Sequence, residues 1–363
     1  MSSKDSPGLY AARLREIFAP LIPDGRPIAL VGFPDTANCG EHATWLGENK
    51  LLSALGCAPA YVCSAQSYER EAMAAKLGSS VILLHGGLID GGLIARVLQD
   101  FPANPAIAFP QQPTPRDEDY LERLAAVTAA HSGMVLFARS TNARDLLRRQ
   151  CGANARVELA PDAAFVLGPQ GRAREPLFDV VWIARTDAER ADRDTEAAAR
   201  LSSQAAEKFA LPAFPDGVEI HCVVKQRPPT VLLTDWSSLV FENEEARLTY
   251  RRLDFNTRSQ AYVDRALYIL SLGRIVITDR LHGHIFCLLL GIPHVLIDNA
   301  SGRNRDFYET WSREADLCRL ARSPAEAWSL ARTVLSKLKE GRTGAPLWES
   351  GSEAATPARK RIL

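Results

Sequence analysis

Residues 274–299, RIVITDRLHGHIFCLLLGIPHVLIDN, determine the fold that we expect for this chain. The stretch begins with a β-branched apolar run at 275–277, and this lack of polar alternation is typical of a parallel strand that is covered on both faces. An apolar helix at 281–290 follows and ends at Gly291, and a second apolar run occupies 294–297. The stretch therefore predicts a strand–helix–strand unit.

Polar residues stand between the first strand and the helix of this unit. Thr278 or Asp279 is expected to cap the helix, which places Arg280 and His282 in its first turn. The first turn of a helix presents free backbone N–H groups and the positive end of the helix dipole. With an arginine added, the turn predicts a binding site for phosphate or carboxylate. The alternative is structural: a capping Asp279, an Arg280 in a surface ion pair and a core His282.

The composition excludes several classes of protein. The chain has 363 residues, 46% of them hydrophobic, which is enough for two domains with sizeable cores. Its 43 basic and 43 acidic residues balance, so no global charge favours nucleic acid as a partner. The seven cysteines include no CxxC pair, and no signal region or membrane span is visible. We expect a soluble cytoplasmic protein.

Strand and helix patterns alternate along most of the chain, which predicts an α/β fold with parallel βαβ units. In the second half these patterns predict a charged helix near 188–208, a strand at 218–224, a short strand at 231–233 and a last helix at 324–339. Residues that follow the strands, namely Asn38, His85, Gln111 and Arg139, should then gather along one edge of a sheet. The segment 168–176, rich in Gly, Pro and Arg, is interpreted as a linker. We place the domains at 1–170 and 171–340, followed by a poorly ordered tail at 341–363.

Each candidate motif also has a structural interpretation. Asn38 is more readily explained as a helix cap than as a catalytic group, and the His85-Gly86-Gly87 cluster alone indicates only a turn. Arg185 could equally belong to a turn or bind an anion. His282 and His284 stand two residues apart on a helix and point to different faces, so they are not expected to bind one metal ion.

Taken together, the motifs resemble the polysaccharide pyruvyltransferase family. The strongest match is TDRLHGH at 278–284, with LGIP at 290–293, DN at 298–299 and the aromatic segment FYETW at 307–311. Further matches, in family order, are Asn38-x-Gly40 with WLG at 45–47, HGG at 85–87, PQQ at 110–112, Arg139, PD at 161–162 with AF at 164–165, and RTD at 185–187. Their co-occurrence along the chain makes the resemblance specific.

This resemblance implies two Rossmann-like domains facing a cleft, as in GT-B glycosyltransferases, with mostly parallel sheets. It implies that pyruvate moves from phosphoenolpyruvate to a sugar of a polysaccharide or its lipid-linked precursor, forming a pyruvate ketal and releasing phosphate. Phosphoenolpyruvate is then a co-substrate of the C-terminal domain, and no cofactor or metal is expected. The glycan acceptor would bind the N-terminal domain, and a lipid-linked acceptor would bring the protein to the cytoplasmic face of the membrane.

On this interpretation, His282 transfers a proton or bonds the phosphate, Asp279 orients its neighbours, and Glu41 is the base on the acceptor side. Arg280, the helix N-terminus and Arg185 would bind the phosphate and carboxylate of the donor. The other residues predicted to bind substrate are Leu281, His284, Asn38, Gly40, His85, Gly86, Gly87, Gln111, Arg139 and Asn299.

The chain departs from the family pattern in its N-terminal half. It has Glu41 where relatives carry Asp, Leu88 and Ile89 where they carry Gly and Asn, and Ser140 where Asp often follows the arginine. These departures leave the acceptor less defined than the donor. Two alternatives stay open: a glycosyltransferase that uses a nucleotide sugar, and a sugar-binding relative without catalytic activity.

Overall fold

The protein is an α/β protein with two separate, largely parallel sheets, which confirms the predicted fold class. The structure is a computed structural model, and it describes residues 7–22, 25–87, 91–131, 133–185, 189, 218–219, 222–225, 229–236, 240–241 and 254–339. The helix predicted near 188–208, apart from residue 189, and the tail at 341–363 lie outside the described residues.

The first sheet has six parallel strands: β1 (Ile28–Phe33), β2 (Pro59–Ser64), β3 (Ile82–Leu84), β4 (Ala106–Gln111), β5 (Met134–Ala138) and β6 (Ala155–Leu159). The helices of this half are α1 (Pro7–Phe18), α2 (Cys39–Ala54), α3 (Arg70–Leu77), α4 (Gly91–Asp100), α5 (Glu118–Ala130) and α6 (Thr141–Cys151). Short 3-10 helices occupy Ala19–Leu21 and Ala163–Leu167.

The second sheet consists of β7 (Phe178–Ile183), β9 (Cys222–Lys225), β10 (Val231–Thr234), β12 (Gly273–Thr278), β13 (His294–Ile297) and β14 (Cys318–Ala321). Its strands are parallel except β9, which runs antiparallel to β10. A small pair is formed by β8 (Val218–Glu219) and β11 (Val240–Phe241). The helices are α7 (Phe255–Ser271), α8 (Leu281–Leu290), α9 (Arg303–Phe307) and α10 (Pro324–Lys339), with a π-helical turn at Tyr308–Ser312.

The strand order places a ligand crevice in each sheet. The first sheet is ordered β2-β1-β3-β4-β5-β6, so the direction of winding reverses between β1 and β3. The second is ordered β14-β13-β12-β7-β10-β9 and reverses between β7 and β12. Parallel α/β sheets bind ligands outside the carboxyl ends of the strands at such a reversal. The loops after β1, β3, β7 and β12 are therefore the expected binding loops.

Several predicted elements are corrected by the structure. The single strand predicted at 218–224 is two strands, β8 and β9, which belong to different sheets. The edge strands β6 and β14 were not predicted, because their short sequences, ARVEL and CRLA, lack the apolar run of a buried strand. Val231–Thr234 forms a strand, as predicted at 231–233.

The start of α8 also differs from prediction. Its N-cap residue is Arg280, in extended backbone, and not Thr278 or Asp279. Thr278 Oγ1 accepts a hydrogen bond from Arg280 N–H at 3.1 Å, and Asp279 Oδ1 accepts one from Arg185 N–H at 2.9 Å. The two side chains therefore hold the turn and the end of the neighbouring strand, and neither caps the helix. At its C-terminal end, α8 is capped by Gly291 in the left-handed region, as predicted.

The two halves share a hydrophobic core. One buried cluster includes Ala43 and Phe165 from the first half together with Trp236 and Phe286 from the second. Helix α2 lies against α7, and the His42 ring stacks on Tyr262 with ring centroids 4.1 Å apart. The division into separate domains at residue 170 stays a prediction. Among the described residues, no helix combines the length and hydrophobicity needed to cross a bilayer.

Candidate functional site

The loop after β1 starts the site by capping α2. Asn38 Oδ1 accepts a hydrogen bond from Gly40 N–H at 3.1 Å, as the capping interpretation predicts. Asn38 Nδ2 donates to Glu41 Oε1 at 3.1 Å, and Thr36 Oγ1 donates to Glu41 Oε2 at 2.6 Å. Both oxygens of Glu41 are therefore hydrogen-bonded within the cap. This arrangement gives Glu41 a structural role, and its assignment as the acceptor-side base stays a prediction.

One face of α2 forms the floor of the site. Gly40, Thr44 and Glu48 are spaced four residues apart, so they lie along a single stripe of the helix. All three residues are buried. A Cβ atom at Gly40 would lie 2.2 Å from His282 Nδ1, so only glycine lets the imidazole rest on the helix. This close approach gives a physical reason for the predicted importance of Gly40.

A buried carboxylate from the first half meets His282 from the second. Asp162 Oδ2 lies 3.3 Å from His282 Nε2 and 2.9 Å from Arg139 Nε. Asp162 Oδ1 accepts hydrogen bonds from Ala164 N–H at 2.8 Å and from Thr44 Oγ1 at 3.3 Å. Thr44 Oγ1 also lies 3.2 Å from His282 Nε2. The carboxyl edges of the two sheets therefore face each other at this point.

The charge state of Asp162 follows from its neighbours. Burial alone would raise the pKa of the Asp162 carboxyl, but the Arg139 guanidinium and His282 together hold that pKa below its ordinary value. Asp162 is thus a buried carboxylate, with no solvent exposure. It fixes Arg139 and His282 relative to each other across the two halves of the protein.

Glu48 and His85 form a second buried pair, at the end of β3. Glu48 Oε2 lies 2.8 Å from His85 Nδ1, and Glu48 Oε1 accepts a hydrogen bond from Gly86 N–H at 2.6 Å. Gln111 Nε2 donates to His85 O at 2.8 Å. Gln111 thereby supports the backbone at His85, and the Gly86 N–H holds Glu48. That Gln111 and Gly86 contact substrate stays a prediction.

The second half contributes Asp279 and Arg280 from the loop after β12. Burial raises the pKa of the Asp279 carboxyl to about 6, and the Arg185 backbone hydrogen bond and the charge of Arg280 oppose this rise. Arg280 Nε and Nη2 each lie 2.6 Å from an oxygen of Asp235, in a buried bidentate pair. Arg280 is therefore positioned by the carboxylate of Asp235, a residue that was not predicted from the sequence.

The guanidinium of Arg185 takes part in a network of ion pairs near α9. Arg185 Nη2 lies 2.7 Å from Glu189 Oε2, and Glu189 also pairs with Arg303. Arg303 Nη2 in turn lies 2.6 Å from Asp117 Oδ2, on the first half of the chain. This network connects the loop after β7 with the N-terminus of α5. The role of Arg185 in anion binding stays a prediction.

His284 lies away from the cluster. It is fully buried, with Nδ1 2.7 Å from His294 Nε2 and Nε2 2.8 Å from Ser312 Oγ. Residues two apart on a helix point to different faces, and His284 points towards β13 while His282 points towards α2. Both ring nitrogens of His284 are hydrogen-bonded inside the protein, which gives the residue a structural role, and its predicted contact with substrate stays a prediction.

The remaining predicted residues have the following positions. Asn299 Oδ1 accepts hydrogen bonds from Arg303 N–H at 3.0 Å and from Ser301 Oγ at 3.1 Å, so it holds the start of α9. Leu281 is partly buried against the shared core. Gly87 adopts a φ of 114°, a conformation that favours glycine, beside Arg139 and His85.

Thr44, Glu48 and Asp235 were not predicted from the sequence as site residues, and Asp162 was predicted only as part of a family motif. Thr44 and Glu48 carried a detectable signal, because they continue the four-residue spacing from Gly40 along a predicted helix. Asp235 follows a strand end next to a weakly patterned region, so only the tertiary structure shows that it meets Arg280.

Fold and site together define the class of this protein. Two parallel sheets face each other at their reversals and bring carboxylates, histidines and arginines into one buried cluster, an arrangement suited to group transfer between bound substrates. The chain belongs to the polysaccharide pyruvyl transferase family, which it matches over residues 38–301. The resemblance inferred from the motifs is thereby confirmed, and the protein is a transferase.

The following individual proteins are similar to this chain. The chain is 30% identical over 314 residues to Pyruvyl transferase 1 of Schizosaccharomyces pombe, covering 79% of this chain and 70% of that protein. Among solved structures it is similar to an uncharacterized protein of Klebsiella pneumoniae, with 16% identity, a TM-score of 0.46 and coverage of 89% of this chain and 100% of that one. It is also similar to the glycotransferase of kitacinnamycin, with 13% identity, a TM-score of 0.37 and coverage of 88% and 94%.

Proposed function

We propose that the protein transfers the pyruvyl unit of phosphoenolpyruvate to a sugar of a polysaccharide, or of its lipid-linked precursor, to form a pyruvate ketal and release phosphate. The observation that carries this proposal is the position of His282, held between Asp162 and Thr44 where the two sheets face each other. Membership of the family supports pyruvyl transfer onto a polysaccharide. The donor and the ketal product are our inference.

The chemistry of the donor explains why such a cluster would be needed. Phosphoenolpyruvate carries a phosphate and a carboxylate, and its methylene carbon must be protonated before the neighbouring carbon can accept a hydroxyl oxygen. The first turn of α8 offers backbone N–H groups to an anion, next to the positioned guanidinium of Arg280. Arg139 supplies a second guanidinium from the opposite half. We assign phosphate and carboxylate binding to these groups and to Arg185.

Two protonatable groups stand beside this anion site. His282 can carry a proton at its ring, and Asp279, with its pKa raised to about 6 by burial, can be protonated close to neutral pH. We propose His282 as the group that delivers the proton to the methylene carbon. Asp279 accepts a hydrogen bond from Arg185 N–H, which holds the loop after β12, and we propose it as a second proton donor.

The reaction can be written with all atoms balanced. A proton adds to the methylene carbon, and the oxygen of a first sugar hydroxyl bonds to the adjacent carbon as that hydroxyl loses its proton. The carbon–oxygen bond to phosphate then breaks, and a second hydroxyl oxygen bonds to the same carbon with loss of its proton. The net products are the ketal and protonated phosphate. The oxidation level of the carbon is unchanged, so we propose that no redox cofactor takes part.

The test is phosphate release from phosphoenolpyruvate by the full-length protein, with and without a glycan acceptor. We expect release to depend on the acceptor, and mass spectrometry to detect a pyruvate ketal on the product. His282→Asn should lower kcat by about 10²–10⁴-fold. His131→Gln changes a buried histidine that caps the C-terminal end of α5 and serves as the matched control.

Three results would count against the proposal. Phosphate release that does not require an acceptor would exclude transfer as the main reaction. Saturable thermal stabilisation by a nucleotide sugar, with none by phosphoenolpyruvate, would favour a nucleotide-sugar glycosyltransferase instead. A protein that binds glycan but releases no phosphate would correspond to the non-catalytic alternative.

A further inference from the structure

We infer that His85, positioned by Glu48, is the base that removes the proton from the acceptor hydroxyl. This inference rests on the proposed function and adds to it the group that activates the acceptor. The sequence suggested Glu41 for this role. The contacts of the two residues in the structure distinguish between them.

The Glu48–His85 pair has the geometry of an oriented base. Glu48 is fully buried, and its two oxygens are fixed by His85 Nδ1 at 2.8 Å and by Gly86 N–H at 2.6 Å. The edge of the Trp45 ring packs against the imidazole, with ring centroids 5.8 Å apart. A carboxylate on Nδ1 selects the ring tautomer whose Nε2 carries the lone pair. The reactive nitrogen of His85 is therefore Nε2.

Nε2 of His85 is buried, and it has no hydrogen-bond partner in the part of the chain that the structure describes. A Cβ atom at Gly87 would lie 4.0 Å from this nitrogen and 4.0 Å from Arg139 Nη2. The nitrogen and the guanidinium thus border the same space in front of Gly87. Buried polar atoms without a hydrogen-bond partner are rare in proteins. Since His85 Nε2 lies next to a guanidinium in a binding loop, we infer that a bound substrate supplies the missing hydrogen bond.

Glu48 brings a buried negative charge to the Glu48–His85 pair. Burial raises the pKa of Glu48, whereas the hydrogen bonds from His85 and Gly86 oppose the rise. A buried pair of carboxylate and neutral imidazole carries one negative charge, and a proton on Nε2 converts it into a neutral ion pair. The Arg139 guanidinium opposes this uptake at Nε2, but it would also attract the anionic donor. The charge of Arg139 also opposes the rise in the Glu48 pKa and so favours the carboxylate form that orients His85.

Glu41 lacks these properties. Both of its oxygens accept hydrogen bonds inside the cap of α2, from Thr36 and Asn38. Using Glu41 as a base would break the cap, whereas using His85 Nε2 breaks no bond in the described structure. In the proposed step, the sugar O–H proton moves to His85 Nε2 as the oxygen bonds to the cationic carbon. The proton then passes from Nε2 to the departing phosphate, which resets the base for the second hydroxyl.

The test uses the full-length enzyme in the acceptor-dependent phosphate assay. His85→Ala should lower kcat by about 10²–10⁴-fold, with little change in KM for phosphoenolpyruvate, and added imidazole should restore part of the lost rate. His85→Asn is the second variant, because its amide can still donate to Glu48 although it offers no base. The control His131→Ala should keep its rate and show no response to imidazole.

Glu48 is tested as a positioning residue. Glu48→Gln keeps only one acceptor oxygen for the two donors, His85 Nδ1–H and Gly86 N–H, so the imidazole should lose its fixed orientation. We expect a smaller loss of kcat than in His85→Ala, an unchanged KM for phosphoenolpyruvate, and no rescue by imidazole. Circular dichroism and thermal melting establish that each variant is folded.

The outcomes separate this inference from the proposed function. A wild-type enzyme that releases no phosphate from phosphoenolpyruvate overturns the proposed function and this inference with it. An active wild type together with folded His85→Asn of normal kcat overturns only the inference. The inference is also overturned if His85→Ala raises the KM for the acceptor and imidazole does not restore the rate. His85 would then bind the acceptor, and another group would remove the hydroxyl proton.

Discussion

Gly40→Ala should disable the enzyme while leaving it folded. The added Cβ would lie 2.2 Å from His282 Nδ1 and 2.3 Å from His282 Cγ, so the imidazole has to move by about 1.2 Å to reach an ordinary contact of 3.4 Å. That movement breaks its contacts with Asp162 and Thr44, which are 3.3 Å and 3.2 Å long. A displacement of ~1 Å at a catalytic group can cost ~100-fold in rate, which is the loss in kcat/KM that we expect.

The cost in stability should be much smaller. Overpacking a buried site costs about 1–3 kcal/mol, and alanine gains up to about 1 kcal/mol over glycine in a helix. The assay is acceptor-dependent phosphate release, with urea denaturation to measure the free energy of unfolding. Gly171→Ala is the matched control, because the space around Gly171 is open. A folded Gly40→Ala variant with wild-type kcat/KM would refute the role that we give to the packing of His282 on α2.

Three further predictions concern stability, each measured by urea denaturation. Asp235→Asn should lower the free energy of unfolding by about 3–5 kcal/mol, because it removes the negative charge from the buried bidentate pair with Arg280; an unchanged unfolding midpoint would contradict this. Burial raises the pKa of Asp279 to about 6 from an ordinary 3.8, so the stabilisation by its protonated form is complete below about pH 4 and lost as the pH rises through about 6. Asp279→Asn should remove this dependence, worth about 3 kcal/mol between about pH 4 and about pH 8; equal pH dependence in both proteins would exclude it. Asn38→Ala should cost ~1 kcal/mol through the lost cap on Gly40 N–H, and no loss would mean that the bond contributes nothing.

Regular elements with strong local patterns could be predicted from the sequence. Helix α10 has the predicted limits, Pro324–Lys339, because an initial proline and regular apolar spacing define it locally. Strand β12 and helix α8 were predicted for the same reason. The edge strands β6 and β14 could not be, since each is short and its place in the sheet depends on a neighbour distant in sequence.

The site was predictable at the level of loops and not of contacts. Parallel topology correctly predicted that groups such as Arg139 and His85 would lie at one edge of a sheet. It could not predict that Asp162 would contact His282, because this contact joins residues on opposite halves of the chain. Nor could it show that Arg280 pairs with Asp235, a contact made only when two strand ends meet.

The core that joins the two halves limits how members of this family can be recombined. Ala43 and Phe165 pack in the same cluster as Trp236 and Phe286, and the Trp45 indole N–H donates to Asn256 across the same boundary at 2.8 Å. A chimera that exchanged the first half for that of a relative, in order to change the acceptor that we predict for this half, would join two surfaces that are not complementary. Such an exchange has to carry the matching face of α7 with α2, so acceptor preference is better altered by substituting single loops.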